Sequence, residues 1–330
     1  MTEKMTFANT PKQDILLKYA PASLNGIGKK QSDIPLLAKN EKLVAELEQA
    51  LPQLPTHHGF YLRDATKINF LKPNSVHLAI TSPPYWTLKK YNERHGQLGV
   101  IQDYESFIRE LNKVWKLCFD ALVPGGRLVC VVGDVCLSRR KNNGRHTVVP
   151  LHASIQEECR KIGYDNLAPI IWYKIANACY ESPRNSSFLG KPYEPNAIIK
   201  NDIEFILMQR KPGGYRSPSI LERIFSVIPE GSHKKWFNQI WEGLTGASTR
   251  NHPAPYPIEL AERLIRMFSF VGDTVLDPFL GSGTTSIAAW RTGRNSIGIE
   301  IDEDYLDYAL NRFAHESQRI TSTHQVETFR

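Results

Sequence analysis

The chain has 330 residues, 41% of them hydrophobic, and carries 41 Lys and Arg against 34 Asp and Glu for a net charge of +7. That length holds one large domain or two modest ones; no apolar run reaches the roughly 18–20 residues of a membrane span, and Met1 to Lys18 lacks the apolar core of a secretory signal, so a cytoplasmic location without membrane contact is expected. The basic excess suits a polyanionic partner through counterion release, while five cysteines, odd in number and without a Cys-x-x-Cys pair, argue against a disulfide framework or a structural metal site.

Residues 1–55 are polar and Lys-rich, with one short helical pattern near Asn40 to Leu51, and read as a partly ordered N-terminal extension. Gly26-Ile27-Gly28-Lys29 within them fails the spacing of a P-loop. From Gly59 the texture changes. Phe60-Tyr61-Leu62 reads as a short strand followed by Asp64, and Val76 to Ile80 as a second that runs into Thr81-Ser82-Pro83-Pro84-Tyr85-Trp86. Tyr104, Phe107, Leu111, Val114, Trp115, Cys118 and Leu122 recur at helical spacing, with Pro124-Gly125-Gly126 as the stop. Arg127 to Val132 then reads as a buried strand, Pro150 to Ile162 as a helix and Pro169 to Tyr173 as another strand. Strands alternating with helices imply a mostly parallel sheet covered on both faces.

Between Lys174 and Arg250 that alternation lapses into Pro, Gly, Ser, Asn and basic residues, interrupted by one strand, Ile203 to Met208. It returns after Pro257 with a helix whose face carries Ile258, Ala261, Leu264, Ile265 and Phe268. Val275-Leu276 follows as a strand, then Asp277-Pro278-Phe279-Leu280-Gly281-Ser282-Gly283-Thr284-Thr285, a helix to Thr292, and the strand Ser296 to Glu300. A strand, a Gly turn and a helix point backbone N–H groups at a ligand. The turn lacks both the third glycine of the dinucleotide fingerprint, where Ser286 stands, and the Gly-Lys-Ser/Thr of a P-loop. Glu300 ends the next strand, where an acid can accept hydrogen bonds from ribose hydroxyls.

These two motifs, Thr81–Trp86 and Asp277–Thr285, resemble those of the amino-methylating DNA methyltransferases that use S-adenosylmethionine. Their order, catalytic motif first and cofactor loop last, resembles the circularly permuted beta group of that family. The Ser-Pro-Pro-Tyr form resembles members that methylate cytosine at N4. The resemblance spans roughly Tyr61 to Phe313. It implies a Rossmann-like α/β methyltransferase fold with a mostly parallel seven-stranded sheet and one antiparallel strand. Residues 1–55 would be the extension, 56–173 the catalytic part, 174–250 a target recognition insert and 251–330 the cofactor-binding part.

The resemblance also implies residue roles. Asp64, Asp277, Phe279, Gly281, Gly283, Thr284 and Glu300 would bind the cofactor, with Phe279 bordering its sulfonium through cation–π attraction. His252, in His252-Pro253-Ala254-Pro255-Tyr256-Pro257, would flank the methionine moiety. Ser82, Pro83, Pro84 and Tyr85 would be catalytic. An exocyclic amino group is a poor nucleophile because its lone pair is delocalised into the ring. Ser82 Oγ and the Pro83 carbonyl would accept its two hydrogens and free that lone pair, Pro84 would stiffen the turn, Tyr85 would stack on the base and Trp86 pack behind it.

The base must leave the duplex to reach such a site. None of the five cysteines follows a proline, so the nucleophile of carbon-5 cytosine methyltransferases is missing. Lys89, Lys90 and Arg94 after the clamp, and Arg139, Arg140, Lys141 and Arg145 after a core strand, are expected on phosphates. From the insert, Lys234 and Lys235 are added, with Arg184, Asn185, Tyr215, Arg216 and Trp236 as further contacts. The expected activity is site-specific N4-cytosine methylation of double-stranded DNA in a prokaryotic restriction–modification system, with a cognate restriction endonuclease as a further partner. Adenine N6 methylation, RNA as substrate and a non-catalytic DNA-binding module stay open as alternatives.

Overall fold

Successive side chains of β3 (Leu122–Val132) point to opposite faces of a sheet and both sets are buried. Leu128, Cys130 and Val132 enter one core, and Val129 and Val131 the other. A strand apolar on both faces belongs inside a sheet covered by helices on each side. The computed structural model describes residues 12–24, 30–89, 91–174, 201–247, 255–318 and 323–330. Lys90, Arg184, Asn185 and His252 lie outside the described residues, as does the side chain of Lys141.

The other strands are β1 (His57–Leu62), β2 (Val76–Thr81), β6 (Asp165–Tyr173), β7 (Ile203–Arg210), β8 (Ile240–Trp241), β9 (Thr274–Asp277), β10 (Asn295–Glu300) and β11 (Gln325–Phe329), with a separate hairpin of β4 (Val135–Leu137) and β5 (Thr147–Val149). The sheet order is β11-β1-β10-β9-β2-β3-β7-β6-β8, and among the described strands of this sheet β7 alone runs opposite to the rest. The seven strands from β1 to β6 are those expected, and β11 and the two-residue β8 extend the edges to nine.

One face is covered by α4 (Tyr104–Ala121) and α5 (Leu151–Ile162), which bury Phe107, Leu111, Trp115 and Ile155. The other carries α8 (Ile258–Phe268) and α9 (Thr284–Arg291), with α10 (Glu303–Ser317) closing a further cluster around Phe60, Trp290 and Phe313. Asp103 caps α4 by accepting from the Ser106 N–H at 2.8 Å. That helix ends at Ala121, before the expected stop. Pro124, Gly125 and Gly126 lie inside β3, where the pairing with β2 shifts register and Gly125 takes φ 78°. A bulge rather than a helix end accounts for the glycines.

Two further expectations change. Residues 12–24 and 30–55 are not a loose extension: α1 (Lys12–Tyr19), α2 (Ile34–Ala38) and α3 (Glu41–Ala50) bury Leu16, Leu37, Leu43 and Leu47 against Ile224 and Phe225 of α6 (Ile220–Phe225). The described part of 174–250 is likewise built into the core through β7, α6, α7 (Glu230–Trp236) and β8, with Trp236, Trp241 and Leu244 buried. No described helix is long and apolar enough to cross a membrane.

Candidate active site

The parallel strands β1, β10, β9, β2 and β3 end on one edge, at Leu62, Glu300, Asp277, Thr81 and Val132. From the β9–β2 boundary the crossovers leave in opposite directions, through α9 to β10 and through α4 to β3. Open α/β sheets bind ligands in the crevice at such a switch point. A cleft partly open to solvent lies there. Asp64, Ser82, Pro84, Phe279, Gly281 and Glu300 all line it. The two sequence motifs therefore share one cavity.

Each wall has a local cause. Gly281 takes φ 52° and its N–H donates to Glu300 Oε2 at 2.8 Å. Glu300 Oε1 accepts from the N–H groups of Ile301 (2.9 Å) and Asp302 (3.0 Å). Burial nevertheless pushes the Glu300 carboxyl up to about 7, the three backbone donors opposing it. Asp64 caps a short turn, accepting from Thr66 N (2.9 Å) and Thr66 Oγ1 (2.7 Å) and pairing with Lys67 at 3.1 Å. Its burial works against ionisation, but those bonds hold its pKa below the ordinary value. Phe279 stands edge-on to Trp115, with ring centroids 6.2 Å apart.

Three of the expected cofactor residues do not reach the cleft. Asp277 is 1% exposed, and its carboxylate accepts from Thr81 Oγ1 (2.8 Å), Phe279 N (3.1 Å), Tyr256 Oη (3.2 Å) and Thr285 Oγ1. It is an internal anchor, with a pKa raised by burial despite those donors. Gly283 has φ 77° at the start of α9, and a Cβ there would sit 3.0 Å from the Ala309 Cβ. Its positive φ and its close packing against α10 both call for glycine. Thr284 is buried and its hydroxyl accepts from Arg312 at 2.9 Å.

In the clamp, Ser82 is half-buried and Pro83, Pro84 and Tyr85 are buried. Trp86 takes φ 46°, a costly conformation for a bulky residue and one found at functional sites, and packs edge-on to Tyr104 at 5.1 Å. Tyr85 departs from expectation. Its ring is 5% exposed and is not part of the cleft wall, while its hydroxyl meets Ser82 Oγ (3.2 Å), the Val131 carbonyl (3.3 Å) and Glu204 Oε2 (3.3 Å). Burial, reinforced by Glu204, pushes the Tyr85 phenol well above its ordinary pKa, so it is protonated.

Sequence reasoning missed the segment that follows the clamp. Tyr91, Gly96, Gln97 and Leu98 form one side of the cleft, and Arg94 fastens this segment to α10 by pairing with Asp304 at 2.9 Å and Asp302 at 3.6 Å. The stretch has no periodicity to betray it. Tyr305, also on the wall, was hidden in the polar start of a helix. Tyr256 sat within a motif singled out for His252.

Of the basic residues, Lys89 follows the clamp directly, and Arg139 and Arg140 are exposed beyond β3 on the same edge as the cleft. Lys234 and Lys235 are not brought there. The adjoining Trp236 packs under Arg266 (5.3 Å) in the last turn of α8. That helix begins beside Tyr256, at the cleft edge, and runs to the opposite end of the strands. Cys118, Cys130 and Cys159 are buried with thiol pKa values raised by desolvation, which leaves them unreactive.

A family model described as DNA methylase matches residues 76–311. The Type II methyltransferase M.MjaI of Methanocaldococcus jannaschii is 35% identical over 305 residues, covering 83% of this chain and 97% of its own. TTHA0409 of Thermus thermophilus, solved in complex with S-adenosyl-L-methionine, is similar at 48% identity with a TM-score of 0.66, over 83% of this chain and all of that one. The cytosine-N4-specific PvuII DNA methyltransferase shares the fold at 18% identity and a TM-score of 0.56, over 83% of this chain and 95% of its own.

Proposed function

The chain belongs to the N6/N4 DNA methylase family, and on that premise we propose that it methylates cytosine at N4 in double-stranded DNA, with S-adenosyl-L-methionine as methyl donor. The observation that carries the reading is the single cleft that joins Ser82 and Pro84 to Phe279, Gly281 and Glu300. The residues present fit the donor. Glu300 offers an acceptor to ribose hydroxyls, Asp64 an acceptor to a base, and Phe279 an aromatic face to a sulfonium. When bound, S-adenosyl-L-methionine supplies an activated methyl group; the rest of the chemistry falls to the chain.

Ser82 Oγ and the Pro83 carbonyl accept hydrogen bonds from the target amino group and turn its lone pair toward the methyl carbon. The contact strengthens as the nitrogen rehybridises, so it acts on rate more than on binding. The clamp is recessed at the cleft, so the base must be flipped out of the duplex to reach it. Serine at position 82 favours cytosine over adenine. The motif order supports assignment to the permuted beta group. Residues 56–173 and 251–330 form the two halves of the catalytic domain, and target reading falls to those parts of 174–250 that do not build the sheet. The Type II name of M.MjaI supports a restriction–modification role with a cognate endonuclease, acting on cytoplasmic DNA.

The test is nucleoside mass spectrometry of DNA incubated with the protein and S-adenosyl-L-methionine. N4-methylcytosine is the expected product. N6-methyladenine alone would overturn the cytosine assignment, and cofactor binding without any product would leave a DNA-binding module.

A further inference from the structure

The hydrogen bonds around Tyr85 run in one direction. Glu204, on β7, receives an ion pair from Lys174 Nζ to Oε1 at 2.7 Å, and its Oε2 lies 3.3 Å from Tyr85 Oη. A carboxylate can only accept, and so can the Val131 carbonyl at 3.3 Å from the same hydroxyl. Tyr85 has one proton, and both neighbours claim it. Its oxygen is left to accept, and the donor it accepts from is Ser82 Oγ at 3.2 Å. Since the ring is packed away from the cleft, Tyr85 bears on the site through the contact of its hydroxyl with Ser82.

We infer that Glu204 and Lys174 are positioning residues for methyl transfer, acting through Tyr85 to hold the Ser82 proton away from the cleft. The inference rests on the reading above, in which Ser82 accepts a hydrogen bond from the target amino group. A serine hydroxyl has one proton and two acceptor lone pairs. With its proton engaged by Tyr85, a lone pair is presented to the amino hydrogen. With that proton free to rotate, it opposes the amino group, donor against donor. The amino nitrogen gains positive charge as it attacks, so the fixed acceptor matters more in the transition state than in the bound complex. Loss of the arrangement should therefore slow transfer without weakening binding.

Glu204→Gln tests this with almost no change in shape. Lys174 can only donate, so it claims the amide oxygen and turns the amide NH2 toward Tyr85 Oη, where it competes with Ser82. Single-turnover methyl transfer should fall about tenfold, with dissociation constants for S-adenosyl-L-methionine and DNA unchanged. Adding Lys174→Met frees the amide to offer its oxygen to Tyr85, and the E204Q/K174M variant should recover most of the loss. Tyr85→Phe keeps the ring and removes the hydroxyl, and should lose at least as much as E204Q. Wild-type rates for E204Q and Y85F overturn the inference, as does a double variant no faster than E204Q. Failure of the underlying reading looks different: Ser82→Ala at the wild-type rate removes the clamp itself, and this inference with it.

Discussion

Thr81 Oγ1 donates a 2.8 Å hydrogen bond to Asp277 Oδ1, joining the last residues of two adjacent parallel strands that are 196 positions apart in the chain. Ser82 follows the donor directly, and the same carboxylate oxygen accepts from the Phe279 N–H at 3.1 Å. The clamp and the glycine loop thus hang from one buried anchor at the switch point of the sheet.

That anchor predicts a coupled defect. Thr81→Val conserves volume but leaves the Asp277 carboxylate, 1% exposed, short of one donor, at a cost of about 1–3 kcal/mol. In urea unfolding the midpoint should fall with an unchanged slope. Methyl transfer by the folded variant should fall as well, because both motifs lose a shared support. A midpoint equal to that of the wild type would show the bond to be dispensable.

Glu300 predicts a pH dependence of cofactor binding. Burial raises its carboxyl to about 7, so near neutrality part of the population carries a proton. Ribose hydroxyls that donate to Glu300 favour the carboxylate and lower its pKa in the complex. Affinity should therefore be weak below that range, rise as pH passes through about 7, and level off above it. Calorimetric titration of S-adenosyl-L-methionine from pH 5.5 to 8.5 reads this directly. Glu300→Gln should flatten the curve; a flat wild-type curve would separate Glu300 from the ribose.

Gly283 should behave as a packing residue. Valine there must adopt φ 77°, costing about 1–2 kcal/mol, and place its Cβ 3.0 Å from Ala309, where overpacking adds about 1–3 kcal/mol. Thermal melts should show the loss even without cofactor. At a temperature where the variant is folded, its cofactor affinity should stay near that of the wild type. The opposite pattern, an unchanged melt with lost affinity, would return Gly283 to the cleft wall.

What could be read from the sequence follows the burial. Strands apolar on both faces, such as β3 and β9, and the α4 stripe of Phe107, Leu111 and Trp115 announce themselves by composition and period. Ser82, Phe279, Gly281 and Glu300 were legible as a site because short backbone turns fix them next to strand ends. Of the N-terminal helices, α3 was legible in the pattern from Asn40 to Leu51, and α1 and α2 were not. Their apolar residues Leu16 and Leu37 are spread among charges, and the partners that bury them, Ile224 and Phe225, lie in a stretch that reads as irregular. The pairing of Tyr85 with Glu204 was equally hidden. It depends on β7 lying beside β3, a neighbour relation that local spacing does not encode. Gly283 shows the remaining limit: a glycine demanded by a helix across the fold looks the same as one demanded by a ligand.

The basic residues give the last prediction, because the structure divides a set that composition treats alike. Arg139 and Arg140 are exposed beyond the end of β3, on the edge that holds the cleft. Lys234 and Lys235 adjoin Trp236, which packs under Arg266 at the far end of α8. An 11-residue helix spans about 16 Å, which sets these lysines well away from the clamp. If the flipped base enters at the cleft edge, its flanking phosphates meet the arginines and miss the lysines. Replacing Arg139 and Arg140 with Ala should weaken DNA binding and reduce the slope of log K against log salt by roughly 1.8, about 0.9 for each phosphate no longer neutralised. Replacing Lys234 and Lys235 should leave that slope where it was. Fluorescence anisotropy between 50 and 200 mM salt, on the order of the range in which phosphate-driven binding falls away, separates the pairs. A slope that responds to the lysines and not to the arginines would put the DNA on the opposite edge of the sheet, where it could not deliver a base to Ser82.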